Sequence, residues 1–294
     1  MIEYLVISSG GYEIFKQISA VNHFFKTNFL KYQDLKVLYG VSSGSIISLL
    51  ISLHLDFNVI EEYFIERPWE KLFVVDTSAI FSAYDKCGIF TIEIFYNFLK
   101  PLLKLAGLNC DVTFKQLYEK NGKLLKIIAS NCSSLEKKIF SYIETPDAKV
   151  VDAVYMSSSL PFLFKPHKYE NDFYIDGGFH GRFPMDQLLN DYPEIDNDRI
   201  FGIETYFTKK DTIINMKNMS TYILSMLNRI VEKYVYKESI YPDIKFLRIK
   251  SHIEFSLEQA YALINDKKYR KKLTKEGETD AIIYLKYINY EIPL

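Results

Sequence analysis

The stretch Gly40-Val41-Ser42-Ser43-Gly44 constrains this chain most, because of what stands on either side of it. An apolar run, Val37-Leu38-Tyr39, ends just before it, and a second, residues 46–55, follows. Strand, then G-x-S-x-G, then helix is the setting of a nucleophile elbow, a sharp turn that leaves a serine hydroxyl exposed. The two glycines carry no Cβ, so neighbouring backbone can come close around that serine. A helix beginning near Ser45 aims its N-terminal N–H groups back at Ser42 and favours negative charge there. Ser42 is therefore the candidate nucleophile. Glycine and serine are also ordinary turn residues, so the motif needs partners elsewhere in the chain.

Strand-like and helix-like runs alternate around it. Leu5-Val6-Ile7 reads as a strand broken by Ser8-Ser9-Gly10-Gly11, after which Ile14, Ile18, Val21 and Phe25 recur at helical spacing. Residues 57–107 are mostly helical in pattern and rich in aromatics, with breaks expected at Pro68, Gly88 and Pro101. Residues 124–129 return to a β pattern, with residues 137–143 as a hairpin partner. Residues 150–157 read as a helix stopped by Pro161, and Phe173-Tyr174-Ile175 as a strand ended by Asp176-Gly177-Gly178. A strand at residues 200–203 follows. Ile223, Met226, Leu227, Ile230 and Tyr234 then mark a long amphipathic helix, before a strand at residues 246–249 and a helix from Leu257. This alternation implies an α/β sandwich around a mostly parallel sheet. With no repeat and no Pro/Gly-rich linker, residues 1–294 read as one domain.

Composition removes several function classes. Lysine plus arginine, 36, nearly balances aspartate plus glutamate, 37, so no global field recruits nucleic acid or an anionic bilayer. Cys87, Cys110 and Cys132 are odd in number and lack a C-x-x-C pair, which points away from a disulfide framework or zinc site and toward a reducing, cytoplasmic compartment. The N-terminus enters a strand-like run with no basic segment or cleavage site, so no signal peptide is expected. Residues 46–55 are too short an apolar run to span a bilayer. The expectation is a soluble chain, with room for a peripheral membrane contact.

An acyl-transfer serine needs a base for its proton and donors for the oxyanion. Gly10-Gly11, between the first strand and a helix, is the natural donor loop. A Ser-His-Asp triad would draw on His252 or His180, yet nothing around His252 marks it as catalytic, and only about one strand precedes the elbow strand, where an α/β-hydrolase places several. Asp176 is the other candidate base, placed where a strand ends and so, on a parallel sheet, at the carboxyl edge beside the elbow. It would need burial and positioning, because an ordinary aspartate, with a pKa of about 3.9, has little proton affinity.

Taken together these pieces resemble the patatin-like phospholipase family. Gly10-Gly11, Gly40 to Gly44 and Asp176-Gly177-Gly178 stand in the family's order. The segment from Thr113 to Asn131 looks like its central helix and strand, and the segment from Val151 to Pro161 like the one before its aspartate. Phe183-Pro184-Met185 and Phe255-Ser256-Leu257 extend the likeness, which runs from about Tyr4 to Leu273. The resemblance implies a three-layer α/β/α sandwich and a Ser-Asp dyad without histidine. Ser42 would be the nucleophile, Asp176 the base, and Ser9, Gly10 and Gly11 the oxyanion hole. The implied reaction is phospholipase A-type hydrolysis of a phospholipid or other acyl lipid through an acyl-serine, with no cofactor and no metal.

One loop departs from the family pattern of three glycines, a variable residue, a basic residue and a glycine. Here Ser9 replaces the first glycine, Glu13 the basic residue and Ile14 the last glycine. Facing the site, Glu13 would oppose a phosphate; pointing outward, it would change little. The departure motivates a second reading, a lipid-binding or interaction protein without turnover, and a Ser-His-Asp esterase is the third. Residues 73–105, with Ile89, Ile92, Phe95, Tyr96 and Leu99 at helical spacing, are the candidate acyl-chain surface or lid, although such a stripe more often faces the core.

Overall fold

Leu5 and Ile7 point to one side of their strand and Val6 to the other, and all three are fully buried. A strand covered on both faces belongs in the middle layer of a sandwich. The computed structural model describes residues 1–75, 85, 87–207, 219, 222–223, 225–226, 229–230, 241, 243–251 and 257–291. In it, strands β1 (Tyr4–Ile7), β2 (Val37–Val41), β4 (Leu124–Asn131), β9 (Ile200–Phe207) and β10 (Lys245–Ser251) form the parallel centre of an eight-stranded sheet. The order runs β10-β9-β1-β2-β4-β8-β7, where β7 is His167–Tyr169 and β8 is Asp172–Ile175. Strand β5 (Lys137–Phe140) forms the expected hairpin with β4, pairing Ile127 with Phe140. A separate two-stranded sheet joins β3 (Gly88–Phe90) to β6 (Phe162–Phe164).

On one face, helices α1 (Ile14–Lys26), α2 (Ser43–Ser52), α3 (Phe57–Glu66), α4 (Glu93–Leu105) and α6 (Val150–Ser157) bury a large core with Leu5, Ile7 and Leu38. On the other, Val6, Val37, Tyr39 and Leu124 pack beneath Met185 and Leu188 of α7 (Met185–Asp191). Between α4 and β4, helix α5 (Phe114–Asn121) opens with a capping box between Thr113 and Gln116. Helices α8 (Leu257–Asn265) and α9 (Lys267–Glu291) close the described chain, and Gly277 of α9 sits directly on the Lys16 backbone of α1. This is the three-layer α/β/α arrangement. Among the described residues no helix is long and apolar enough to cross a membrane.

Two expectations need correcting. Pro101 does not break the helical pattern but lies inside α4. Proline deprives the carbonyl four residues earlier of its donor; that carbonyl belongs to Asn97, and Arg67 Nη2 donates to it at 3.0 Å. Nor is β8 parallel to its neighbour. It runs antiparallel to β4 and pairs only the last two residues, Ser130 with Ile175 and Asn131 with Tyr174. Asp176 still reaches the carboxyl edge because the overlap is confined to that end. Most of the long helix expected from Ile223 to Tyr234, with His252 and Phe255-Ser256, lies outside the described residues.

Candidate active site

At the end of β2 the chain turns so sharply that Ser42 takes φ 53° and ψ −124°, a region a non-glycine residue occupies only under constraint. Close packing supplies that constraint. A Cβ on Gly44 would collide with the carbonyls of Ile7 and Ser8, and one on Gly40 would strike the Gly44–Ser45 backbone. The Ser42 N–H donates to Ser157 Oγ at 2.9 Å, and Ser157 Oγ donates in turn to the Ile128 carbonyl at 2.6 Å. Helix α2 begins at Ser43, two residues before its expected start.

Asp176 arrives from the opposite direction. Its N–H donates to the Ser159 carbonyl at 3.0 Å, and Gly177 behind it packs against the Ile128 carbonyl where a Cβ has no room. Asp176 Oδ1 accepts from the Gly178 N–H at 2.7 Å, and Oδ2 accepts from Ser42 Oγ at 2.7 Å. Burial pushes this carboxyl up to about 6, even though the hydrogen bonds from Ser42 and Gly178 and the nearby Arg182 charge all favour its ionised form. A buried aspartate tuned to this range can take a proton near neutral pH and return it.

The pair opens onto a cavity of about 320 Å³ whose walls are aromatic and aliphatic: Phe64, Trp69, Phe73, Phe90, Phe98 and Phe164 among them. Phe95 lines it too, whereas Leu99 is wholly buried in the core and Tyr96 donates to Asp152 Oδ1, so the stripe mostly faces the core and only Phe95 of these three reaches the cavity. Residues 76–84 and 86 of that region lie outside the described residues. Leu263 and Ile264 of α8 close another wall, and Arg270 of α9 fixes them by donating to both of their carbonyls. Asp176 and Arg182 are the only charged side chains among the described residues lining the cavity.

Gly10 and Gly11 line this cavity with Ser42, and among the described residues no acceptor takes the N–H of either. Gly11 has φ +53°, a conformation natural to glycine. Ser9, the third member expected in the oxyanion hole, also lines the cavity, but its N–H donates to the Arg182 carbonyl at 2.8 Å. Glu13 takes neither of its two anticipated positions. It turns inward, 7% exposed, with Oε2 3.1 Å from Lys16 Nζ and Oε1 accepting from Ser251 Oγ at 3.0 Å. Ile14 replaces the family glycine as a cavity wall.

No described histidine lines the cavity. His54 stacks on Tyr32, His167 lies near Asp152, and His180 is exposed, its Nδ1 3.4 Å from the Leu135 carbonyl. Among the described residues no group of three or more His, Cys, Asp or Glu could hold a metal ion. Three residues that matter here escaped the sequence reading: Ser157, Arg182 and Gln17. Only Gln17 left a signal, a polar residue three positions after Ile14 and four before Val21, inside the apolar stripe of α1.

Residues 5–189 match the family described as patatin-like phospholipase. A probable lipid hydrolase of Invertebrate iridescent virus 6 is 30% identical over 205 residues, spanning 68% of this chain and 70% of the viral protein. An uncharacterized protein of Acanthamoeba polyphaga mimivirus is 26% identical over 273 residues, spanning 87% of each. Among solved structures, VipD from Legionella pneumophila superposes with a TM-score of 0.57 over 97% of this chain and 67% of its own. At 14% identity that likeness concerns the fold.

Proposed function

Since the chain belongs to the patatin-like phospholipase family, we propose that it hydrolyses the fatty-acyl ester of a lipid, with Ser42 as nucleophile and Asp176 as its base. The observation that carries this reading is the 2.7 Å hydrogen bond from Ser42 Oγ to Asp176 Oδ2 at the wall of an apolar cavity. Ser42 Oγ attacks the ester carbonyl carbon while its proton passes to Asp176. The carbonyl oxygen becomes an oxyanion, met by the N–H groups of Gly10 and Gly11 and by the positive end of α2. Collapse breaks the bond to the alcohol oxygen, which leaves with the proton from Asp176, and the acyl group remains on Ser42. Water then enters, gives its proton to Asp176 and releases the fatty acid, and Ser42 recovers its hydrogen.

The aromatic walls suit an acyl chain, and Arg182 suits a phosphate. A guanidinium in a cavity of low polarity binds a phosphodiester strongly through charge-assisted hydrogen bonds. That favours a phospholipid over a neutral glyceride, and so phospholipase A-type cleavage. With Glu13 turned away and paired, the loop departure no longer argues for binding without turnover. Val74 and Val75 follow cavity-lining Phe73, and Tyr261 follows cavity-lining Ala260; all three are exposed, which suits a peripheral contact with the lipid surface.

The test is fatty-acid release from phospholipid and neutral-lipid micelles by wild type beside Ser42→Ala. Release by wild type alone supports the hydrolase. Stoichiometric lipid capture without turnover by a folded protein would replace it with the binding reading.

A further inference from the structure

Gln17 is a wholly buried polar side chain that the proposed chemistry does not use. Its amide meets three separate pieces of the site. Nε2 donates to the Ser8 carbonyl at 3.1 Å and to Thr205 Oγ1 at 3.1 Å, while Oε1 accepts from Ser43 Oγ at 2.9 Å. Ser8 leads into the Gly10-Gly11 loop, Ser43 is the first residue of α2 after the nucleophile, and Thr205 belongs to β9. The amide orientation follows from the chemistry, because a carbonyl only accepts and the nitrogen must therefore face Ser8.

We propose that Gln17 is a positioning residue that holds the Gly10-Gly11 loop in register with the N-terminus of α2, so that both aim their donors at one oxyanion. The inference rests on the acyl-hydrolase reading above. Nothing else polar joins the two pieces among the described residues. The Ser8 N–H goes to the Ile203 carbonyl and the Ser9 N–H to the Arg182 carbonyl, and no backbone hydrogen bond links residues 8–11 to residues 42–45. Gly10 rests against the amide itself, since a Cβ there would stand 2.9 Å from its atoms. Thr205 is in turn tied back to the loop, its N–H donating to Ser8 Oγ at 2.7 Å and Ser8 Oγ donating to the Ser9 carbonyl at 2.9 Å. Every member of this network is buried apart from Ser9. Oxyanion donors act only at the right distance, and losing one costs roughly 10²–10³-fold in kcat. A slackened loop should lose part of that.

The experiment measures kcat and KM for fatty-acid release by wild type, Gln17→Met, Ser43→Ala and Thr205→Val, with Ser42→Ala as control. Gln17→Met keeps the length of the side chain and removes all three bonds. Ser43→Ala and Thr205→Val each remove one partner with little change in volume, so they carry the test should Gln17→Met not fold. Thr205 does not line the cavity, so a merely structural role for it would leave turnover alone. The expected result is kcat lowered at least tenfold in Gln17→Met and about threefold or more in the single-bond variants, KM within twofold, and fluorophosphonate labelling of Ser42 slowed in parallel. Unchanged kcat in the folded variants, or losses that appear only in KM, would overturn the inference while leaving Ser42-dependent turnover standing. A wild type without Ser42-dependent turnover would sink the hydrolase reading, and this inference with it.

Discussion

Glu13 Oε2 and Lys16 Nζ sit 3.1 Å apart inside the protein, and neither residue lines the cavity. Burial works against the Lys16 charge, but Glu13 and Glu276 together hold its pKa above the ordinary lysine value. The acidic residue in the loop is thus half of a buried ion pair, whose Lys16 Nζ also lies 3.0 Å from Glu276 Oε2 and donates to the Lys250 carbonyl at 3.2 Å. Rewriting the loop toward the family pattern with Glu13→Arg should destabilise the protein rather than improve turnover. Breaking a buried pair costs about 3–5 kcal/mol. Glu276 would soften that for Glu13→Gln, whereas Glu13→Arg sets two cations together. Urea titration should rank wild type above Glu13→Gln, and Glu13→Gln above Glu13→Arg.

Turnover should fall as pH drops through about 6, following protonation of Asp176. Arg182 is one of the groups that restrain this pKa, so Arg182→Met should shift the acid limb of the pH–rate profile upward. A profile flat from pH 5 to 8 would contradict the assignment.

The same carboxyl has a consequence for stability. Its folded pKa is raised above the unfolded value, so the folded state binds more protons between about 3.8 and 6, and stability declines as pH rises through that window. Above pH 6 the whole penalty is present, on the order of 2–3 kcal/mol for a shift of this size. Asp176→Asn should therefore be more stable than wild type at pH 8, with the gap closing below pH 4. Thermal melts at the two pH values measure it.

Arg182 should act on the substrate that carries phosphate. Arg182→Met is expected to lower phospholipid turnover by about tenfold or more, the worth of one charge-assisted hydrogen bond. Monoacylglycerol turnover should stay within threefold. Its backbone bond to Ser9 survives the substitution, so the loop keeps its anchor. Equal losses on both substrates would remove the case for phosphate recognition.

Phe90 is half-buried and lines the cavity, and its ring packs against Phe73 and Phe164. Phe90→Trp should shift preference toward shorter acyl chains while a small fluorophosphonate still labels Ser42. A competition assay across chain lengths reads this directly.

Much of the architecture was legible because buried parallel strands and amphipathic helices write their periods into the chain, as at residues 5–7 and in the Ile14, Ile18, Val21 stripe. The elbow and the Asp-Gly pair were legible because turns of this kind demand glycine. What escaped was long-range geometry. The antiparallel course of β8 depends on a two-residue overlap with β4, and the helix through Pro101 depends on Arg67, which lies 34 residues earlier in sequence. The inward turn of Glu13 depends on Ser251, more than 200 residues away, as well as on nearby Lys16. Gln17 was visible only as a polar residue in an apolar stripe, with no hint of its three partners.

Ser42 and Asp176 should act as one unit. The most direct measurement is the rate of covalent labelling by a fluorophosphonate, read as an intact-mass shift and mapped to its residue, in wild type, Ser42→Ala and Asp176→Asn. The expected result is stoichiometric labelling at Ser42, none in Ser42→Ala, and at least a hundredfold slower labelling in folded Asp176→Asn, in keeping with the loss of a general base. Labelling of Asp176→Asn at the wild-type rate, or labelling at another residue, would contradict it.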